Sequence, residues 1–291
     1  MKDKNLNMSM RTLSEEEVSK VIKKLRTKSA KGLDDISVQA LKTCHDQLLA
    51  PLTYIINSSI VSGVYPKKLK ESKISPLYKG KGSKTDPSSY RPVTVSSVIS
   101  RILESCVEKQ LRKHFERNNI LDTHQHGFRK HRSTSSALID LLHYVQENRN
   151  KDYTVGSVFI DLSSAFDLVD HKILLHKLKL FGVSRAGLEW IKSFLQDRSQ
   201  VVAVKDSKST PFSLDYGLPQ GSPLSPLLYL IYVADAHLWG QDSFNAAFAD
   251  DFNYSCIARS REEVKTFLQT QSKKVKDYFE NNRLLLNPKK N

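Results

Sequence analysis

The sequence predicts an α+β fold in which helices are mixed with antiparallel strands. Two observations support this prediction. Several long stretches repeat apolar residues at helical intervals, and two apolar segments around polar turns have the pattern of hairpins. The chain has 291 residues, 39% of them hydrophobic, which is enough for one large domain or two interleaved lobes.

The first part of the chain combines helices with one hairpin. Ser14 and Glu17 have the spacing of a capping box, and Gly63 follows an apolar stretch as a helix-ending residue. The helices are predicted over residues 14–26, 37–62 and 97–118, and the hairpin over residues 73–95. A polar loop over residues 122–132 separates these elements from the rest.

The second part alternates strands and helices. Ser225 as N-cap and Pro226 as first residue suit the start of one of these helices. Helices are predicted over residues 134–148, 171–180, 184–196, 226–238 and 261–281, strands over 154–161 and 200–205, and a hairpin over 244–257.

The charge of the chain points to a polyanionic partner. The net charge is +14 and the pI is near 9.5, and an excess of this size favours nucleic-acid binding because phosphate neutralisation drives such association. Cys44, Cys106 and Cys256 lie far apart, which argues against a disulfide framework or a structural zinc site. No apolar run reaches the ~18 residues that span a membrane, and the first residues lack the apolar core of a secretory signal, so we expect an intracellular protein, nuclear or cytoplasmic.

Two adjacent carboxylates stand out because apolar residues surround them. Asp250 and Asp251 follow the run 246–249, and Asp161 ends a second apolar run. Desolvating such groups costs several kcal/mol each unless a cation or hydrogen bonds compensate. Two strands that end in carboxylates side by side would form a site for divalent metal ions. The alternative, three unrelated surface aspartates, stays open at this point.

The order of three motifs carries a family resemblance. In chain order they are FIDLSSAFD at 159–167, GLPQGSPLSP at 217–226 and FADD at 248–251, preceded by SPLYK at 75–79, SYRPV at 89–93 and QHGFR at 125–129. This set resembles the palm and fingers motifs of reverse transcriptases, in particular those of the non-LTR (LINE-like) retrotransposon group. The resemblance runs from about residue 28 to the last residue.

The resemblance implies a right-hand polymerase architecture. It implies fingers and a palm, whose antiparallel sheet is backed by the helices at 134–148 and 226–238. The implied domains are an N-terminal extension with fingers at 1–132, a first palm part at 133–171, a fingers/palm insertion at 172–216 and a second palm part at 217–291. A helical thumb follows in the family, and we expect it to be absent here because nothing follows Asn291.

The resemblance also implies an RNA-directed DNA polymerase, a nucleotidyltransferase that adds dNTPs to a DNA primer on an RNA template. Asp161, Asp250 and Asp251 are the implied ligands of two Mg²⁺ ions, with Mn²⁺ as a substitute. The implied contacts of the incoming nucleotide are Lys79, Arg91, Phe166, Gln220 and Gly221. Phe166 would exclude a ribose 2′-hydroxyl.

The remaining implied roles concern the template and the leaving group. The implied template contacts are Gln125, Gly127, Phe128 and Arg129. Lys290 is the implied general acid that protonates pyrophosphate.

Two other hypotheses remain open from the sequence. A non-catalytic RNA-binding domain of polymerase ancestry is favoured by the expected lack of a thumb, whereas the intact carboxylates favour the enzyme. A group II intron-type maturase shares the palm, but no X-domain or DNA-binding tail supports it. We expect the chain to retain the chemistry with low processivity. Oligomeric state and host are not indicated.

Overall fold

The computed structural model describes residues 6–204, 207–236, 238 and 243–287. The chain folds into two compact units, each built from two separate segments. The first unit comprises Met1–His114 with Leu175–Ser225, and the second comprises Phe115–Leu174 with Pro226–Asn291. Mixed helices and strands in both units agree with the predicted α+β class. Among the described residues, no helix has the length and apolar character that crossing a membrane requires.

Helices and strands are numbered here in chain order. The helices are α1 (Glu15–Lys24), α2 (Val38–Thr43), α3 (His45–Ser62), α4 (Val98–Arg117), α5 (Thr134–Arg149), α6 (His171–Leu180), α7 (Arg185–Leu195), α8 (Ser225–Tyr232) and α9 (Arg261–Asn281). The strands are β1 (Glu71–Tyr78), β2 (Tyr90–Ser96), β3 (Thr154–Ser163), β4 (Arg198–Val204), β5 (Ser207–Lys208), β6 (Phe212–Leu214), β7 (Phe244–Phe248), β8 (Asp251–Ala258) and β9 (Leu285–Leu286).

The N-terminal helices follow from capping and burial. Ser14 and Glu17 form the predicted capping box, and α1 buries Val18 and Ile22. The single helix predicted over 37–62 is wrong, because α2 ends before Cys44 and α3 begins after it. Cys44, with φ −97° and ψ 28°, leaves the helical conformation, and the two helices bury separate apolar residues, Val38 and Leu41 in α2 and Ile56 and Ile60 in α3.

The sheet of the first unit contains the predicted hairpin. β1 and β2 pair antiparallel with Tyr78 opposite Tyr90, and β4 joins β1 in parallel. β5 and β6 both pair with β4. These two short strands were not predicted, because segments of two or three residues are too short to show an alternating pattern.

The sheet of the second unit carries the acidic residues. Its strand order is β7-β8-β3-β9, and all of its pairs are antiparallel. One face packs on α9, where Gly156 lies so close to Val264 that a Cβ on the glycine would approach Val264 Cγ1 to 2.3 Å. On the other face, Tyr144 of α5 stacks on Phe244 of β7 with ring centroids 4.6 Å apart.

The helix predicted over 226–238 is shorter than expected. α8 ends at Tyr232, after which the N–H groups of Ala234 and Ala236 donate to carbonyls three residues earlier. Such bonds tighten the last turn and end the α-helix. Ser225 is the first helical residue rather than the cap, because its hydroxyl donates to the Pro219 carbonyl at 2.7 Å.

A buried aspartate links α6 to the segment after α9. Asp170 accepts hydrogen bonds from the N–H groups of Lys172 at 2.8 Å and Ile173 at 3.0 Å, and Arg283 pairs with its second oxygen at 2.6 Å. Burial alone raises the pKa of Asp170, but the backbone donors and the Arg283 charge together hold that pKa below its ordinary value. The ionised form is therefore stabilised in the folded state.

We expect Asp170→Ala to lower the free energy of unfolding by about 1–3 kcal/mol at pH 7, since it removes a cap and a charged acceptor. Because the folded-state pKa is depressed, the contribution of Asp170 is complete above the unfolded-state pKa of about 3.9 and disappears as pH falls through the folded-state pKa. Urea unfolding at several pH values measures this difference. Asp170→Asn keeps a capping oxygen, so it should lower the free energy of unfolding by less than Asp170→Ala does. A difference that grows as pH falls would contradict the assignment.

Candidate active site

The register between β3 and β8 brings two of the predicted carboxylates together. Asp161 of β3 lies directly opposite Asp251 of β8. Opposite residues of an antiparallel pair point to the same face, about 4.5–5.5 Å apart at Cα. Their neighbours Ile160 and Phe252 are also opposite each other and are buried on the other face. The predicted adjacency of the two acidic strands is therefore confirmed.

The third carboxylate lies in the turn between β7 and β8. Asp250 follows Ala249, whose φ of 59° places it in the left-handed region that residues with a Cβ rarely adopt. The predicted hairpin with an acidic tip is confirmed. Asp250 is half-buried and Asp251 is exposed, so solvent reaches both carboxylates.

Asn287 holds Asp161 through two hydrogen bonds. Its side-chain Nδ2 donates to Asp161 Oδ2 at 2.5 Å, and its backbone N–H donates to the Asp161 carbonyl at 2.9 Å. β9 pairs with the end of β3 and thereby delivers Asn287 to this position. One carboxylate oxygen of Asp161 is thus oriented by the chain itself.

A buried tyrosine lies under the acidic turn. Tyr229 of α8 is fully buried, and within the described part of the chain its hydroxyl has no hydrogen-bond partner. Burial, followed by the negative charges of Asp250 and Asp251, raises the pKa of Tyr229 above its ordinary value. The phenol therefore stays neutral and lies within electrostatic reach of both carboxylates.

Phe166 belongs to an aromatic stack. Its ring lies on Tyr229 with centroids 4.6 Å apart and an interplanar angle of 18°, and it meets the edge of Phe128 at 5.9 Å. Such contacts restrict the ring to one orientation. Phe166 is half-buried, so part of its ring remains accessible.

The donor chemistry of these residues fits Mg²⁺. Among the residues that the structure describes, no group of three or more His, Cys, Asp or Glu side chains is arranged so that it could bind a metal ion. Mg²⁺, however, is commonly bound by one or two carboxylates together with substrate phosphates and water. The opposed Asp161 and Asp251 provide carboxylates of this kind.

The four predicted template residues lie in the loop before α5. Gln125 and Gly127 are buried, and the Gln125 side chain bonds to the backbone of the acidic turn. Arg129 pairs with Glu116 at 2.9 Å, and its Nη1 donates to the Asp122 carbonyl at 2.8 Å. Phe128 is 43% exposed, so its ring is available for contacts with a ligand.

Lys79 and Arg91 lie at the end of the hairpin in the first unit. Arg91 is opposite Leu77, and Lys79 follows Leu77 by two residues, so both cations belong to the same face of the hairpin. Both are exposed, and Lys79 Nζ donates to the Ser88 carbonyl at 2.7 Å. The hairpin thus presents two positive charges together.

Gln220 and Gly221 also lie in the first unit. Gly221 has a φ of 80°, and a Cβ at this position would come within 2.6 Å of the Thr94 carbonyl oxygen. Only glycine therefore fits here. Lys290, the predicted general acid, lies outside the described residues.

Sequence reasoning missed two residues of this site. Asn287 lies in the Asn-Pro segment before Lys290, and its place in that motif was the one signal that could have found it. Tyr229 lies within an apolar run that is indistinguishable from ordinary core. Each role comes from a contact with a residue distant in sequence, Asp161 for Asn287 and Phe166 for Tyr229.

The chain matches a family profile described as reverse transcriptase (RNA-dependent DNA polymerase) over residues 79–291. The probable RNA-directed DNA polymerase from transposon BS of Drosophila melanogaster is 30% identical over 98% of the chain. The RNA-directed DNA polymerase from mobile element jockey of the same organism is also 30% identical over 98% of the chain. The Pol polyprotein from type-1 retrotransposable element R2 of Popillia japonica is 27% identical over 75% of the chain.

The chain spans 32%, 32% and 29% of these three relatives, about a third of their length. The matches confirm the resemblance to reverse transcriptases of non-LTR retrotransposons that the motif order predicts. The profile covers well over half of the chain and includes all three carboxylates. The chain therefore belongs to the reverse transcriptase (RNA-dependent DNA polymerase) family.

Proposed function

We propose that this chain is an RNA-directed DNA polymerase of a retrotransposon, which transfers nucleotides from dNTPs to a primer 3′-hydroxyl on an RNA template. The observation that carries the proposal is the pairing of Asp161 with Asp251 on the face of the sheet beside Asp250. The names of the relatives and the net charge of +14 support a nucleic-acid substrate. We propose that the first unit contains most of the expected fingers and the second unit most of the expected palm, with residues 115–132 in the second unit and residues 217–225 in the first.

Asp161, Asp250 and Asp251 are proposed to hold two Mg²⁺ ions, which Mn²⁺ replaces. When bound, the ions lower the pKa of the 3′-hydroxyl and neutralise charge that develops on the α-phosphate. The chain keeps one carboxylate oxygen of Asp161 oriented through Asn287.

Phe166 is proposed to select deoxynucleotides. The contacts with Tyr229 and Phe128 hold the Phe166 ring in place, so a ribose 2′-hydroxyl would clash with it. Lys79 and Arg91 are proposed to contact nucleotide phosphates, since an exposed arginine next to a lysine suits such a ligand. Phe128 is proposed to stack on a template base.

We expect Asp250→Asn to abolish primer extension on an RNA template with dNTPs and Mg²⁺, because an amide cannot replace a carboxylate as ligand of a hard cation. Extension of a labelled DNA primer by wild type and variant measures this. Asp277→Asn, at an exposed position of α9, is the matched control and should extend like wild type.

Equal extension by wild type and Asp250→Asn would contradict the assigned site. A wild-type chain that binds the RNA–DNA duplex but extends no primer under either metal ion would refute the proposed function and favour an RNA-binding domain without catalysis.

We expect Phe166→Ala to admit ribonucleotides. Steric overlap of this kind costs about 1–3 kcal/mol, and each 1.4 kcal/mol is tenfold, so the preference for dNTP over rNTP in kcat/KM should fall roughly 5- to 140-fold. Incorporation assays with matched dNTP and rNTP provide the ratio.

Phe212→Ala removes an exposed ring from β6 and should leave the nucleotide preference unchanged. If Phe166→Ala lowers kcat/KM equally for both nucleotides, Phe166 supports the fold and does not select the sugar.

A further inference from the structure

The segment before α5 runs along the free edge of β7. The His126 N–H donates to the Ala247 carbonyl at 2.7 Å, and the Ala247 N–H donates to the His124 carbonyl at 2.9 Å. Gln125 and Ala247 form a parallel bridge. Residues 124–126 are therefore fixed beside the strand that leads into the acidic turn.

The Gln125 side chain makes three hydrogen bonds in this place. Its Oε1 accepts from the Ala249 N–H at 2.9 Å and from the Gly127 N–H at 2.7 Å, and its Nε2 donates to the Ala249 carbonyl at 3.1 Å. Gln125 is 4% exposed. A carboxamide supplies both the acceptor for the Ala249 N–H and the donor for the Ala249 carbonyl, and we call the three bonds of this side chain the Gln125 clamp.

The clamp holds the one residue of the turn that has an unfavourable backbone conformation. Ala249 has a φ of 59° and immediately precedes Asp250. A residue with a Cβ keeps this conformation only where the surroundings fix it. Both backbone polar groups of Ala249 bond to Gln125, so the clamp fixes the peptide planes on both sides of this residue.

Gly127 allows the close approach that the clamp needs. A Cβ at this position would lie 2.1 Å from Ala249 N and 2.8 Å from Ala249 Cα. These are backbone atoms, so a side chain at position 127 would push the turn itself. Glycine is therefore required by space at this position.

We infer that Gln125 is a positioning residue that sets the backbone of Ala249 and thereby the direction of the Asp250 carboxylate. This inference rests on the proposed function of the acidic site. It assigns Gln125 a task different from the template contact that the family resemblance implies, since the buried side chain is engaged with the protein's own backbone. Gly127 serves the same task by leaving room.

Steady-state kinetics at saturating template separate the two roles. In Gln125→Ala the turn loses its clamp, and kcat should fall about 100-fold, since a misplacement of 1 Å at a reacting group costs on this order. The Kd for the RNA–DNA duplex and the KM for dNTP should stay within about twofold of wild type.

Two further variants make the comparison specific. Gly127→Ala should reproduce the loss of kcat with unchanged duplex binding. Gln146→Ala, at an exposed position of α5 in the same unit, should behave like wild type. Weaker duplex binding with unchanged kcat in Gln125→Ala would overturn the inference and restore the template contact.

Hydrogen–deuterium exchange tests the clamp without relying on activity. The Ala249 N–H donates to Gln125, so peptides containing Ala249 should exchange faster in Gln125→Ala than in wild type or Gln146→Ala. Unchanged exchange would overturn the inference even if polymerase activity is present. If the wild-type chain extends no primer, but peptides containing Ala249 still exchange faster in Gln125→Ala than in wild type, the proposed function is refuted and the inference about Gln125 stands.

Discussion

The pairing of β3 with β8 is the constraint on which the site depends. A shift of one residue would move every side chain to the other face of the sheet, and it would separate Asp161 from Asp251. The register is held from the opposite face, where Ile160 and Phe252 are buried and the Phe252 ring contacts Phe279 of α9. Apolar burial on one face thus keeps two like charges together on the other, where the proposed Mg²⁺ ions would offset their repulsion.

The residues that hold Asp161 and the turn at Asp250 in place come from different parts of the second unit. Asn287 reaches Asp161 from the segment after α9, and Gln125 reaches the turn at Asp250 from the loop before α5. The Tyr229 ring stacks on Phe166, the residue proposed to select deoxynucleotides, and its buried hydroxyl lies within electrostatic reach of Asp250 and Asp251. The chemistry of the site therefore depends on long-range contacts that hold short acidic segments still.

Much of this architecture can be predicted from the sequence, because helix periodicity and the Ser14–Glu17 capping box are local signals. The order of the motifs likewise identifies the three carboxylates. The short strands β5 and β6 could not be predicted, because two or three residues show no alternating pattern, and β9 could not be predicted because its partner β3 lies more than 100 residues away. The direction of the Gln125 side chain could not be predicted either, because its partner Ala249 lies 124 residues away.

Anomalous diffraction from Mn²⁺ in crystals of this chain with an RNA template, a chain-terminated DNA primer and a matching dNTP would show whether the three carboxylates bind metal ions. We expect two Mn²⁺ peaks within bonding distance of carboxylate oxygens of Asp161 and of the Asp250–Asp251 pair. A ternary complex in which Mn²⁺ binds elsewhere, with these side chains uncoordinated, would contradict this expectation.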